Sequence, residues 1–285
     1  AIILILGIWF FSEGDARYLP FNEWFFRLFE GLPKTGGHVL QWNSLGSLLA
    51  VVIPALCAIV VFSGHRSLRV AALLLGFAFL GMLILSASGG GGWIAAFVGL
   101  AVVCICWRRW MALIVVPVGG IVAAAAVMFY GQTTWLQQTF ATGSLHGRVT
   151  LWINTLQFVR GHTVITGLGL GKWSELYNRH FGESQIHVHN AYLQLFCDTG
   201  ILGILALVVA AVVFVRLSRR MLSSSLLNPW YGIGIGLISG MIAGAVMAMY
   251  DVATTVTVVG VSSYVYLSVP LLWVWAGLLA MASVK

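Results

Sequence analysis

Long apolar stretches separated by short polar segments run along most of the chain. As helices rising about 1.5 Å per residue, the longer stretches can each cross a hydrocarbon layer of about 30 Å. They cover 42–62, 68–86, 91–107, 111–130, 196–215, 231–250 and 262–282, and a shorter run at 1–11 resembles the remaining half of another span. The pattern predicts an all-α fold, a polytopic transmembrane helical bundle of about eight spans with the first partial.

Composition supports this prediction and narrows the class of protein. The 285 residues are 60% hydrophobic and 8% charged, with a mean hydropathy of +0.97, which indicates an integral membrane protein. The net charge of +7 does not indicate a nucleic-acid partner, because the cations form no continuous basic face. No cofactor and no metal site are predicted. The cysteines are predicted to be small buried hydrophobes, since all lie in or at the edge of apolar spans: Cys57, Cys104, Cys106 and Cys197.

The short connections indicate an orientation in the membrane. Several arginines and the last lysine fall at alternate ends of successive spans, in segments that contain no acid, so all can lie on one side. The positive-inside rule makes that side the cytoplasm. These residues are Arg66, Arg69, Arg108, Arg109, Arg216, Arg219, Arg220 and Lys285.

Two longer segments are then predicted on the outer side. The segment 12–41 mixes aromatic and charged residues and resembles an interfacial helix within the N-terminal transmembrane part, 1–130. The segment 131–190 is predicted to be a helical extracytoplasmic loop domain, followed by C-terminal transmembrane helices at 191–285. Its histidines and cations are His146, His162, His180, His187, His189, Arg148, Arg160, Lys172 and Arg179.

Within this loop, 148–160 is predicted to be an amphipathic helix lying on the membrane, preceded by Gly147 and ended by Gly161. Arg148 would stand at the helix start, where a guanidinium and free backbone N–H groups together favour a phosphate. Lys172 and Arg179 are predicted to be merely solvated.

A glycine run and a histidine pair follow. Gly167, Gly169 and Gly171 indicate either a turn that lets the backbone approach a ligand or a plain loop. His187 and His189 lead into the span at 196–215; as a metal pair they lack a third ligand at a familiar spacing. Asp198, about two turns deeper, is predicted to hold water, steer a histidine or make a structural hydrogen bond. Tyr192 and Gln194 are predicted either to touch sugar or to seat the helix.

These motifs together resemble the O-antigen ligase family, which also contains polysaccharide polymerases and O-linked oligosaccharyltransferases. The resemblance covers about 80–215. It rests on Gly147-Arg148-x-x-x-Trp152, Gly167-x-Gly169-x-Gly171 and, most specifically, His189-Asn190-x9-Gly200-x-x-Gly203. Gly200 and Gly203 are predicted to allow close helix packing.

The resemblance implies a metal-independent glycosyltransferase of the bacterial inner membrane, active on the periplasmic face in cell-surface polysaccharide biosynthesis. The donor would be a glycan on undecaprenyl pyrophosphate, and the acceptor a hydroxyl of a lipid, a glycan or a protein. His189 would be the general base and Arg148 would hold the pyrophosphate. Arg160, His187, Asn190, Gly169 and Asp198 are the expected substrate-binding residues.

The chain departs from the family at one place. The family usually carries Ser-Arg-Gly near the start of a span, whereas the corresponding stretch at 86–95 has no arginine. Either another cation, for which Arg160 is the candidate, substitutes for the missing arginine, or the activity is weakened. Two other classes stay open: a lipid-linked glycan transporter, which would also need basic outer groups, and an intramembrane protease using Ser88.

Overall fold

The computed structural model describes residues 42–85, 90–111, 113–114, 117–119, 142–182, 185, 188–223, 231–249, 255–257 and 264–266. The chain divides into two compact units. The first comprises Ala1–Phe140, Ser218–Met247 and Ala253–Lys285, and the second comprises Ala141–Leu217 and Ala248–Val252. The predicted division into 1–130, 131–190 and 191–285 stays a prediction.

The described part of the first unit is mainly helical. Its helices are α1 (Trp42–Phe62), α2 (Arg66–Leu85) and α3 (Gly90–Trp107), followed by a 3-10 turn at Arg109–Met111 and, later in the chain, α8 (Tyr231–Ala248). The larger cluster of their buried apolar residues includes Leu49 of α1, Phe79 of α2, Ala95 of α3 and Ala243 of α8. A smaller cluster joins α1, α3 and α8 through Ala58, Val103 and Ile235.

Small residues let these helices approach closely. A Cβ on Gly92 of α3 would lie 3.3 Å from the backbone of Gly46 in α1, and one on Gly236 of α8 would lie 3.2 Å from Ala55. Such contacts suit helices in lipid, which associate through close packing because lipid tails are as apolar as the helices themselves. Gly92 lies in the stretch compared with the family's Ser-Arg-Gly, and here it serves packing; Ser86, Ser88 and the residues up to 89 lie outside the described residues.

The second unit contains α4 (Thr142–Leu156), the short α5 (Thr163–Thr166), α6 (Lys172–Phe181) and the first part of α7 (Ala191–Leu222). Its core joins α4, α6 and α7 through Leu151, Tyr177 and Cys197. Aromatic rings fill much of this core: Trp173 stacks on Tyr177 at 4.9 Å between ring centroids, and Phe181 follows at 4.6 Å from Tyr177. The helix α6 was not foreseen from the sequence.

The predicted spans that fall on described residues are helices. Those at 42–62, 68–86, 91–107, 196–215 and 231–250 correspond to α1, α2, α3, α7 and α8. By length and apolar composition, Arg66–Leu83, Ala191–Leu222 and Tyr231–Ala248 can cross a membrane, and Gly46–Phe62 and Gly91–Trp107 are shorter apolar helices.

The count of about eight spans stays a prediction. The segments 1–11 and 12–41, most of 111–130 and most of 262–282 lie outside the described residues. Two three-residue strands, β1 (Thr255–Thr257) and β2 (Tyr264–Tyr266), pair antiparallel. Apart from these six residues and the 3-10 turn, the described elements are α-helices, which confirms the all-α fold class. β-branched and aromatic side chains favour extended backbone at β1 and β2, and β2 falls inside the predicted span 262–282.

Candidate functional site

His189 lies immediately before α7 in a left-handed backbone conformation, with φ of 54°. It is the non-glycine residue with positive φ among those the structure describes. Such a conformation costs a side-chain-bearing residue about 1 kcal/mol or more and persists where the surroundings hold it in place. The segment on each side of His189 is held by hydrogen bonds.

The residue before it, Val188, is fully buried and bonded at both backbone polar groups. Its N–H donates to Oε1 of Gln194 at 3.2 Å, and its carbonyl accepts a hydrogen bond from Nε1 of Trp152 at 2.9 Å. Trp152 belongs to α4 and Gln194 to α7, so two helices fix the peptide that leads into His189.

The residue after it, Asn190, caps α7. Its Oδ1 accepts the backbone N–H of Leu193 at 3.0 Å, and its carbonyl accepts the N–H of Gln194 at 2.9 Å. Asparagine favours this position because its side chain satisfies an N–H that the first helical turn leaves without an intrahelical partner. The predicted substrate-binding residue Asn190 thus has a structural contact that the motif did not reveal.

Gln194 and Asp198 form the next part of this network. Nε2 of Gln194 donates to Oδ1 of Asp198 at 3.0 Å, one helical turn along α7. The carbonyl of Asp198 in turn accepts the backbone N–H of Gly169 at 3.1 Å. Of the alternatives predicted for Asp198, the structure shows the structural hydrogen bond.

The glycine run meets α7 where that helix is broken. Gly200 has φ of 66° and ψ of −156°, which interrupts the helical backbone. The carbonyls of Cys197 and Asp198 accept the N–H groups of Leu168 at 2.7 Å and Gly169 at 3.1 Å. The loop therefore caps the first half of α7, and Gly169 uses its N–H for that bond.

Only glycine fits at positions 167 and 200, where the loop and the break in α7 meet. A Cβ on Gly200 would overlap the carbonyl of Ile165, and a Cβ on Gly167 would overlap the backbone at Asp198 and Thr199. Gly200 was predicted to allow close helix packing, and it lies against the end of the short helix α5, at Ile165, and against the first residue of the glycine run. The approach is made at the break in α7. Gly203 faces Thr199 and Leu195 of its own helix.

Arg148 lies on α4, but not at its start. The helix begins at Thr142, so Arg148 falls in its second turn, and the predicted contribution of free N–H groups at the helix end is wrong. Gly147 continues the helix instead of preceding it, because a single glycine is tolerated in a helix interior at a cost of about 1 kcal/mol. Arg148 and Trp152, four residues apart, share one face of α4, and Trp152 reaches Val188.

Arg160 is exposed and lies beyond the end of α4, which is Leu156 and not the predicted residue 160. Its N–H donates to Oγ1 of Thr163 at 2.9 Å, and the same hydroxyl donates to the Arg160 carbonyl at 2.7 Å. The helix itself ends earlier than the sequence pattern indicated, in a tight turn in which the N–H groups of Gln157 and Phe158 donate to carbonyls three residues back, each at 3.1 Å.

The side of α4 next to Arg148 and Trp152 carries exposed apolar residues. Val149, Ile153 and Leu156 are 41%, 57% and 51% exposed, and their spacing of four and three residues places them on one stripe. The amphipathic character predicted for this segment is confirmed by this distribution. We call these three residues the apolar stripe.

The other cations of the loop are partly neutralised. Glu175 on α6 binds Nζ of Lys172 at 3.0 Å and Nη2 of Arg179 at 2.8 Å. The hydrogen bond from Lys172, with the charges of both cations, lowers the pKa of Glu175 below its usual value. Lys172 and Arg179 are exposed, which confirms that they are solvated.

The remaining predicted site residue, His187, lies outside the described residues. Within the described ranges, no group of three or more His, Cys, Asp or Glu side chains could hold a metal ion. The sequence did not predict the two hydrogen bonds to the backbone of Val188, which come from the side chains of Trp152 and Gln194. Only the fixed spacing of Trp152 after Arg148 pointed toward them.

Comparison with protein families gives one match, to a family described as O-Antigen ligase, over residues 74–208. No curated protein matches the chain. The matched range contains Arg148, Trp152, His189 and the helix break at Gly200. Over residues 74–208 the chain is therefore similar to the O-antigen ligase family.

Proposed function

We propose that this chain is a glycosyltransferase that moves a glycan from undecaprenyl pyrophosphate to a hydroxyl acceptor at the periplasmic face of the bacterial inner membrane. The observation that carries this proposal is the fixed backbone of His189, held at the start of a long apolar helix within the O-antigen ligase family range. A general base must be positioned before its basicity is useful, and these bonds supply that position.

The reaction needs one proton transfer and one displacement. The acceptor hydroxyl attacks the anomeric carbon of the donor sugar, and its proton passes to the imidazole of His189. The bond between that carbon and the pyrophosphate oxygen breaks, and the electron pair leaves with undecaprenyl pyrophosphate. Histidine suits the role of base because it exchanges protons readily near neutral pH.

Arg148 is the proposed partner of the pyrophosphate. It shares a face of α4 with Trp152, whose indole contacts the carbonyl of Val188 beside His189. A guanidinium matches phosphate oxygens in a two-pronged fashion and stabilises the negative charge that grows on the leaving group. Arg160, in its exposed turn, is the proposed second cation in place of the arginine that the 86–95 stretch lacks.

The helix break bears on the alternative of a lipid-linked glycan transporter. Transporters use broken helices whose open carbonyls coordinate ions or substrate. Here the carbonyls of Cys197 and Asp198 are bonded to the glycine loop. That pairing favours a structural break beside a transferase site. Lipid ligation, repeat-unit polymerisation and protein O-glycosylation share the donor chemistry, and of these we propose ligation.

The first experiment compares His189→Ala with the wild-type chain in membranes supplied with an undecaprenyl-pyrophosphate-linked glycan. We expect loss of transfer by about 100-fold or more, the usual contribution of general base catalysis. The control is His162→Ala, because His162 is an exposed histidine of the same loop that makes no side-chain capping bond to α5. Equal transfer by His189→Ala and wild type, at equal expression, would remove His189 from the mechanism.

A further inference from the structure

We propose that Gln194 is a positioning residue, which with Trp152 holds the peptide before His189 and so places the imidazole for transfer. The inference rests on the proposed function, because it assigns a role relative to the base named there. Neither residue needs to touch donor or acceptor for this role.

The carboxamide of Gln194 is hydrogen-bonded within the protein at both its oxygen and its nitrogen. Its Oε1 accepts the N–H of Val188 at 3.2 Å, and its Nε2 donates to Asp198 at 3.0 Å. Only 9% of the residue is exposed. A side chain with both ends bonded and so little exposed surface is suited to orienting its neighbours, not to binding a sugar.

Asp198 is the anchor of this arrangement. Its carboxylate accepts a hydrogen bond from Gln194, and its carbonyl accepts the N–H of Gly169. The glycine loop therefore fixes Asp198, Asp198 orients Gln194, and Gln194 holds the peptide of Val188.

These hydrogen bonds matter because they hold the left-handed backbone conformation of His189. A residue with a side chain remains at φ of 54° when the surrounding bonds over-determine it. Without the bonds to Val188, the backbone can relax toward ordinary negative φ, and the imidazole direction changes with it. A displacement of about 1 Å at a reacting group can cost about 100-fold in rate.

Two variants remove the two supports separately. Gln194→Met keeps the size of the side chain but removes both hydrogen bonds, and Trp152→Phe keeps an aromatic ring but removes the indole N–H. We expect each to lower kcat by about 10- to 100-fold while KM for the lipid-linked glycan stays within about 2-fold. Leu176→Ala on α6, a half-buried position outside this network, is the control for a general packing defect.

A third test exchanges donor and acceptor between positions 194 and 198. Gln194→Glu keeps an oxygen for the Val188 N–H but sets a second carboxylate against Asp198, so kcat should fall. Adding Asp198→Asn supplies an amide N–H to the new carboxylate, and we expect kcat to return to within about 3-fold of wild type.

The outcomes separate this inference from the proposed function. If His189→Ala retains full transfer, both are overturned. If His189→Ala abolishes transfer while Gln194→Met and Trp152→Phe stay at wild-type kcat, the positioning role alone is overturned. An exchanged pair that folds but remains as slow as Gln194→Glu would also overturn it, and would place the Asp198 carboxylate on substrate instead. Recovery by the exchanged pair supports positioning, because a contact with substrate would not survive moving the charge.

Discussion

At the scale of single residues, the site depends on the left-handed backbone conformation of His189, which the sequence pattern does not predict. The motif identifies His189 and Arg148 as candidates because their spacing resembles a family. The left-handed φ of His189 depends on Trp152, which lies 36 residues away from Val188 along the chain. A contact of that separation is a property of the folded unit, so the sequence could name the base but not the bonds that hold it.

Arg148 offers a prediction at the same scale. Arg148→Ala should reduce transfer by about 100-fold, because a preorganised charge that stabilises a leaving group contributes about that much. Arg148→Lys should recover only part of it, since an ammonium keeps the charge but loses the planar two-pronged contact. The measurement is kcat/KM for the lipid-linked donor.

The control for Arg148 is Arg179→Ala. Arg179 is also a cation of this loop, but it is exposed and paired with Glu175. We expect its removal to leave transfer unchanged. Equal loss in both variants would indicate a general effect of loop charge and would argue against a specific contact with the diphosphate.

At the scale of elements, the helices were easier to predict than their ends and breaks. Hydrophobic runs located α1, α2, α3, α7 and α8. The start of α4 was placed too late because Gly147 looked like a boundary, whereas it lies inside the helix. The break in α7 was not foreseen, because it depends on bonds from the glycine loop to Cys197 and Asp198.

The glycines give a prediction about stability. Gly200→Ala and Gly167→Ala should each destabilise the protein, since both positions have positive φ and a Cβ would overlap backbone atoms. Gly147→Ala is the matched control: nothing lies within 4 Å of the added Cβ, so helix propensity should stabilise it by about 0.5–1 kcal/mol. Thermal unfolding in detergent, followed by tryptophan fluorescence, measures all three.

A fall in Tm for Gly147→Ala as large as for the other two would contradict this explanation. It would mean that the loss comes from flexibility shared by all glycines. Gly147→Ala is expected to raise Tm and Gly200→Ala to lower it. This difference follows only if the glycine loop contacts the break in α7 as it does in the structure.

At the scale of the whole molecule, composition alone predicted a membrane protein, and the apolar helices of both units agree with it. The division into two compact units was less accessible, because it follows which helices share a core and not where the loops lie along the chain. The aromatic core around Trp173 and Tyr177 illustrates the difference. The helix α6 is short and mostly polar, so no long apolar run marks it, and only the helical spacing of Trp173, Tyr177 and Phe181 indicates its buried side.

The charge pattern gives a prediction about topology. Arg160→Cys should react with a membrane-impermeant maleimide on bacterial spheroplasts, whereas Arg220→Cys should react only after the membrane is permeabilised. Both positions are exposed, so access should depend on the side of the membrane alone. The wild-type chain with its own cysteines gives the background. Labelling of both positions on sealed spheroplasts would contradict the predicted orientation.

The apolar stripe of Val149, Ile153 and Leu156 lies on the same helix as Arg148 and Trp152 but faces another way. One helix thus offers a surface for hydrocarbon and a surface for charge within its own diameter of about 10 Å. A donor made of a greasy tail and a diphosphate head has the same division. On the proposed function, the diphosphate head would reach the guanidinium of Arg148 while the polyisoprenoid tail stayed among the lipids. The reaction would then not require the free energy needed to extract the tail from the bilayer.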